Sequence, residues 1–64
     1  MTWEYRVLDR DGELAIYEVH HDEHGRVQGY GADPTFPAAA TLEELRVNCD
    51  LYLAALDKPI LKYE

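Results

Sequence analysis

The densest group of side chains that could do chemistry is the segment His-His-Asp-Glu-His at positions 20–24. Imidazole nitrogens and carboxylate oxygens are zinc ligands, so a metal-dependent enzyme or metal-binding protein would use His20, His21 and His24. A zinc site needs three or four ligands that converge on one point, whereas these histidines flank a predicted turn between strands, where neighbouring side chains diverge. The pattern favours solvated turn residues, and a small metal-dependent enzyme is the alternative hypothesis.

Other reactive side chains are placed where catalysis is hard to build. Cys49 is the single cysteine, on the apolar face of a predicted helix, where a thiol acts as a small inert hydrophobe. The carboxylate pairs Asp9/Asp11 and Asp22/Glu23 fall in predicted turns, whereas a glycosidase needs two carboxylates across a cleft. The sequence contains no Ser/His/Asp set, glycine-rich phosphate loop or CxxC motif. We therefore expect no catalytic residues, no cofactor and no metal.

The charge of the chain restricts its partners. It has 13 acidic and 6 basic residues and a net charge of −7. Such a surface repels phosphate backbones and anionic membranes, so we expect no direct nucleic-acid or membrane partner, although plain solubility also explains acidity. A small basic protein is the partner that electrostatic steering favours. The predicted partner-binding residues are Glu4, Glu13, Glu18, Asp22 and Glu23.

The length of 64 residues predicts a single domain, residues 1–64, with a marginal core. One cysteine allows no internal disulfide, so self-association is the remaining way to add stability, and we expect a homodimer. A lone cysteine with no signal-peptide pattern favours the cytoplasm. The predicted self-association residues are Val47, Leu51, Ile60, Leu61 and Tyr63.

Three strands precede a helix in the predicted order of elements. Alternating polarity over Thr2–Leu8 and Glu13–His21 indicates two strands, joined by a turn over Asp9-Arg10-Asp11-Gly12 in which Asp-Gly is the strongest hairpin signal. A weaker third strand covers Arg26–Ala32, because Gly29 and Gly31 lower strand propensity. The second strand is apolar on both faces near its start, which favours a central position.

The helix is predicted from about Leu42 to Leu56. Thr41 and Glu44 form a capping box at its start, and Pro59 follows its end. Its core-facing stripe is predicted from helical spacing as Leu42, Leu45, Cys49, Tyr52, Leu53 and Leu56.

Two apolar segments lie outside these elements. Phe36, between two prolines, is expected to anchor its loop on the core. The tail after Pro59 packs back on the sheet, adds an edge strand, or docks on another subunit. The predicted fold class is α+β: a three-stranded antiparallel meander with one C-terminal helix packed on one face, ββ(β)α.

This order of elements, with Tyr5, Asp11-Gly12 and the segment Thr41–Leu56, resembles the N-terminal domain of HicB-like antitoxins. The resemblance implies a truncated ribonuclease H-like fold without ribonuclease activity, which dimerises and binds a small basic toxin. Full-length members usually add a C-terminal DNA-binding segment, so the resemblance is to a stand-alone relative that lacks it. The Pro-Gly-Cys element common in the family is also absent between Val19 and Pro37.

Overall fold

The computed structural model describes residues 2–64 as an α+β fold with one helix and a four-stranded mixed sheet. The sheet has the strand order β3-β2-β1-β4. Among residues 2–64, no helix has the length and hydropathy that a membrane span requires. The elements in chain order are β1 (Thr2–Arg10), β2 (Glu13–His21), β3 (Val27–Tyr30), α1 (Leu42–Leu56) and β4 (Leu61–Lys62).

The hairpin between β1 and β2 turns at Asp11-Gly12, within the predicted turn, but β1 continues to Arg10 rather than ending at Leu8, because Asp9 and Arg10 pair with Leu14 and Glu13. Asp11 and Gly12 have φ values of 54° and 87°, and two successive positive φ angles are typical of the type I′ turn that suits a two-residue hairpin. Asp9 supports the turn, since its Oδ1 accepts a hydrogen bond of 2.9 Å from the Gly12 N–H. The two strands pair along their whole length, from Arg10 opposite Glu13 to the far ends.

The third strand is shorter than the sequence predicts. It covers Val27–Tyr30 rather than Arg26–Ala32, and its pairing with β2 shifts between His20 and His21. Such a shift bends the strand and limits the length that can pair. The α+β class is confirmed and β1, β2 and β3 pair antiparallel in the predicted order, but the sheet is not the predicted three-stranded one, because β4 adds a fourth, parallel strand.

The tail after the helix adds an edge strand to the sheet. Leu61 pairs with Leu8 in a parallel arrangement, and the Tyr63 N–H donates to the Asp9 carbonyl oxygen at 3.0 Å. The sequence left three placements open for the tail, and the structure shows the edge strand. Both β1 and β2 are consequently interior strands.

The most buried side chains lie on the face of the sheet that carries Leu8. Directly opposed residues in a ladder share a face, so Leu8, Tyr17 and Val19 lie together, and each is at most 2% exposed. Partly buried side chains surround these three: Ala15, Tyr30, Leu61 and Tyr63.

The sheet curls until its two outer strands contact each other over this core. The rings of Tyr30 on β3 and Tyr63 after β4 lie 5.3 Å apart, and the Tyr30 hydroxyl donates to the Lys62 carbonyl oxygen at 3.4 Å. The Arg10 guanidinium lies 4.4 Å from the centre of the Tyr63 ring and donates to the Ala32 carbonyl oxygen at 2.9 Å. These contacts close the Leu8 face without the helix.

The helix packs on the opposite face, which carries Trp3, Tyr5 and Val7. The rings of Tyr5 and Tyr52 meet edge to face with centres 4.5 Å apart, and Asn48 Nδ2 donates to the Tyr5 hydroxyl at 3.2 Å. Ala55, 1% exposed, is the one buried residue of α1. The helix therefore packs on the sheet through a tyrosine, an asparagine and an alanine.

The predicted core-facing stripe of the helix is wrong in most of its members. Leu42, Leu53 and Leu56 are 67%, 62% and 60% exposed, and Cys49 is exposed rather than buried. Only Leu45 and Tyr52 of the predicted stripe are half-buried. The predicted apolar stripe is rotated about the helix axis away from the residues that contact the sheet.

The rotation of the helix has a polar cause. Tyr5 lies on this face, and its partly buried hydroxyl is stabilised by a hydrogen-bond partner, which Asn48 supplies and a leucine does not. Ala55 lies on the same side of the helix and, being small, lets the helix approach closely. A stripe predicted from hydrophobicity alone omits both residues.

The expected anchoring role of Phe36 is also wrong, since its side chain is 76% exposed. The loop is instead held to β2 by Thr35. The Thr35 N–H and hydroxyl both donate to the Ile16 carbonyl oxygen, at 2.8 and 3.1 Å. This polar attachment leaves the phenyl ring in solvent.

The helix begins where the capping box predicts. Thr41 has extended backbone angles, and its Oγ1 accepts a hydrogen bond of 3.1 Å from the Glu44 N–H. The reciprocal bond from the Thr41 N–H to the Glu44 carboxylate is not among the hydrogen bonds of residues 2–64.

Replacing Thr41 with alanine removes this cap, and we expect a loss of about 1 kcal/mol in the free energy of unfolding. Urea denaturation measures the change. Thr41→Ser, which keeps the hydroxyl, is the matched control and is expected to stay near wild type. Equal stability of the alanine and serine variants would contradict the placement of the cap.

Candidate interaction surface

The predicted acidic partner-binding residues do not form one strip in the structure. Glu4 lies opposite Val19 and Glu18 lies opposite Tyr5, which places the two carboxylates on different faces of the sheet. Glu13 begins β2, and Glu23 follows its end, so the length of a nine-residue strand separates them. Glu13, Glu18 and Glu23 are therefore three exposed or half-exposed charges spread along β2 and its ends rather than one continuous strip.

Glu4 is held by basic side chains on the Leu8 face. Lys58 donates to its Oε1, His21 Nε2 lies 2.8 Å from its Oε2, and Arg6 lies 3.5 Å from the same oxygen. Arg6 also donates to the Pro59 carbonyl oxygen at 2.8 Å. The cluster joins β1 and β2 to the segment that follows the helix.

These contacts lower the pKa of Glu4 below its ordinary value of 4.5. The hydrogen bond from Lys58 is the largest cause of the lowered pKa. Partial burial raises the pKa, but the hydrogen bond with His21 and the charges of Lys58 and Arg6 lower it further. The Glu4 carboxylate is already neutralised within the chain. Glu4 therefore stabilises the fold and is not an unpaired charge that a partner protein could bind.

Asp22 is likewise engaged within the chain. Its Oδ1 accepts from the backbone N–H groups of His24 and Arg26, at 2.8 and 3.0 Å. An aspartate that bonds to the backbone two residues on is typical of an Asx-turn. Its role in the structure is to shape the turn before β3.

The three histidines point to separate partners. His21 faces Glu4, whereas His20, the next residue along the strand, lies 4.0 Å from Glu18 on the other face. His24 lies 3.8 Å from its neighbour Glu23. No group of three or more His, Cys, Asp or Glu side chains with metal-binding geometry lies among residues 2–64.

The predicted self-association residues are divided between surface and core. Val47, Leu51 and Ile60 are 58%, 47% and 57% exposed. Leu61 and Tyr63 instead pack on the chain's own core beside Leu8 and Tyr17. The tail thus supplies one exposed apolar side chain, and the helix supplies the remainder.

Helix α1 exposes apolar side chains on both sides of the line that contacts the sheet. The first side, here named the outer strip, consists of Leu42, Cys49, Leu53 and Leu56. The second side faces a groove with Trp3, which is 51% exposed. That groove is lined by Trp3, Glu4, Tyr5, Leu51, Ala54 and Lys58.

Helical periodicity does not predict how much apolar surface the helix exposes. A helix that only covers a sheet needs one apolar stripe, whereas α1 has apolar residues over most of its circumference. Val47, Leu51 and Ala54 signal the second side in the sequence. Asn48 lies between the two apolar sides, and this polar residue is the sequence signal that could have identified the side of the helix that contacts the sheet.

Comparisons of the chain with protein-family models, with curated proteins and with solved structures find no match.

Glu4→Gln is expected to lower the free energy of unfolding at pH 7 because it removes the ion pair with Lys58. A carboxyl with a depressed pKa stabilises the fold above its unfolded pKa and loses that contribution as pH falls through the lower folded pKa. The stabilities of wild type and variant should therefore approach each other as the pH falls below the ordinary carboxyl pKa of 4.5 and through the lower folded pKa.

Urea denaturation at pH 7 and pH 3 measures this convergence. Glu23→Gln, at a side chain that is 83% exposed, is the matched control. A stability difference for Glu4→Gln that is the same at both pH values would contradict the role of the cluster.

Proposed function

We propose that this chain is a non-enzymatic protein-binding module that acts as a homodimer and binds a small basic protein, in the manner of a HicB-like antitoxin. The observation that carries the proposal is the extent of apolar surface on α1 and at Trp3. Contiguous exposed apolar patches of this kind are typical of protein-interaction sites.

The dimensions of the chain support a surface made for contact. Its accessible area is 4860 Å² for 7.4 kDa, whereas compact monomers of that mass expose about 4,200 Å². The radius of gyration is 12.1 Å, against about 10.7 Å for a compact domain of this length. The excess of about 650 Å² approaches the roughly 800 Å² that each partner contributes to a standard interface.

Charge supports a basic partner. The chain carries −7, and Glu13, Glu18 and Glu23 form no salt bridge with a lysine or arginine among residues 2–64. A cationic protein would be attracted over a distance of about 10 Å at 0.1 M salt. Glu18 lies on the helix-bearing face and Glu23 at the turn, so such a partner would contact the β2 side of the sheet.

The arrangement of reactive groups supports binding rather than catalysis. His21 is paired with Glu4, and no hydrogen bond joins the exposed Cys49 thiol to a basic side chain among the described residues. A nucleophile needs an adjacent base, and a metal centre needs convergent ligands. The metal-dependent alternative would have to assemble His20, His21 and His24 from three separate directions.

The resemblance to HicB-like antitoxins supports the class of partner. The Asp11-Gly12 hairpin, the antiparallel meander and the helix that begins after Thr41 are the features on which it depends. A basic toxin encoded beside this chain would be the partner that this resemblance implies.

Removing exposed acidic charge on the sheet side should weaken partner binding. The triple variant Glu13→Gln, Glu18→Gln, Glu23→Gln changes the net charge from −7 to −4 by removing three negative charges. The triple variant Glu43→Gln, Asp57→Asn, Glu64→Gln removes the same number elsewhere and is the matched control. We expect the first triple, and not the second, to lower affinity by about tenfold, and raised salt to remove most of the difference.

The measurement is capture from cell extract at low and high salt, followed by titration of the purified basic partner. Equal loss in both triples would contradict a docking surface on the sheet side. Recovery of nucleic acid alone would contradict the proposed class of partner. A stoichiometric bound metal, with hydrolytic activity lost in His21→Ala, would establish the alternative.

A further inference from the structure

The outer strip is an apolar surface of the helix that the fold leaves uncovered. Leu42, Leu53 and Leu56 are each at least 60% exposed, and Cys49 lies exposed between them. Half-buried Leu45 adjoins Leu42 and Cys49 in a shallow groove along the same side. The strip extends over the full 15 residues of α1, which is about 22 Å.

The spacing of the strip is symmetric about Cys49. Leu45 and Leu53 lie four positions before and after it, and Leu42 and Leu56 lie seven positions before and after it. Two copies of such a helix, packed antiparallel about a two-fold axis at Cys49, bring Leu42 against Leu56 and Leu45 against Leu53 of the other copy. A two-fold interface requires a surface that is complementary to itself, and this spacing provides one.

The charges beside the strip fit the same arrangement. Arg46 and Asp50 line the groove with Leu42 and Cys49. In the antiparallel pair, Arg46 lies within two positions, about 3 Å along the helix axis, of Asp50 in the other copy. Two such opposite-charge pairs flank the leucines, and the strip itself carries no charge that would oppose contact between chains of −7.

We propose that the outer strip is the homodimer interface, formed by antiparallel packing of α1 against α1 of a second copy with Cys49 at the two-fold axis. The proposal rests on the homodimer of the proposed function and names its surface and orientation. A surface on this side differs from the sequence-based set, in which Leu51 and Val47 lie on the other side of the helix. The area excess of about 650 Å² per chain fits one such contact.

Cys49 permits a direct test by oxidation with copper–phenanthroline, which joins two thiols as a disulfide only when they already lie close together. Wild type is expected to yield covalent dimer at micromolar concentration, and Cys49→Ser, which has no thiol, to yield none. Val47→Cys in the Cys49→Ser background presents an exposed thiol on the other side of the helix and is expected to stay uncross-linked. Faster cross-linking through position 47 than through position 49 would overturn the proposal.

Two glutamate substitutions, one on each side of the helix, test the proposed interface without modifying Cys49. Leu53→Glu places two charges in the proposed interface and is expected to raise the dimer dissociation constant at least 100-fold. Leu51→Glu is the matched control, with an expected change below about threefold, and circular dichroism of both variants checks that the helix is retained. Dissociation by Leu51→Glu with little effect of Leu53→Glu would overturn the outer strip in favour of the opposite side.

The mass of the wild type separates this proposal from the basic-partner proposal. A monomeric chain that still captures a basic protein would overturn the strip interface and leave partner binding intact. A dimer that dissociates with Leu53→Glu but captures no basic protein would establish the interface and contradict the proposed partner.

Discussion

The contact of Tyr5 with Asn48 and Tyr52 sets the rotation of the helix on the sheet, and the exposed surface depends on that rotation. An edge-to-face ring contact of 4.5 Å and a hydrogen bond of 3.2 Å to a partly buried hydroxyl have defined directions. A leucine stripe packs with little directional preference, so the polar bond decides which line of the helix faces the sheet. Rotation toward Asn48 leaves four residues of the predicted stripe in solvent.

The sheet has two apolar faces, which explains why one helix is not enough to cover the chain. The face of Leu8 is closed by curling, with Tyr30 and Tyr63 in contact across it. On the opposite face, which carries Tyr5, the helix is the element that packs on the sheet. The Glu4 cluster ties the end of that helix to the first two strands, because Lys58 and Pro59 both contact side chains of β1.

Local sequence signals predicted the elements well because each depends on neighbouring residues. Asp11-Gly12 specifies its turn through two positive φ angles, and Thr41 specifies the helix start through a bond to Glu44. The bounds of β2 and α1 were predicted to the residue. The end of β3 was not, since a register shift between His20 and His21 depends on pairing that spacing does not encode.

Long-range contacts account for what the sequence could not predict. The curl of the sheet brings residues 30 and 63 together, and the Glu4 cluster joins residues separated by more than fifty positions. The exposure of Phe36 follows from a polar attachment of its neighbour Thr35, which hydropathy does not register. The candidate surface was predictable only as a surplus of apolar residues on α1, and its location required the helix rotation.

The alkylation rate of the Cys49 thiol, measured against protein concentration, tests the central claim most directly. The account predicts fast modification by iodoacetamide in dilute solution, because the chain's own sheet leaves Cys49 exposed, and progressive slowing as a second copy covers the outer strip. Slow modification at every concentration would show that the thiol faces the chain's own core. Fast modification at every concentration, up to that of a concentrated stock, would show that no second copy covers it.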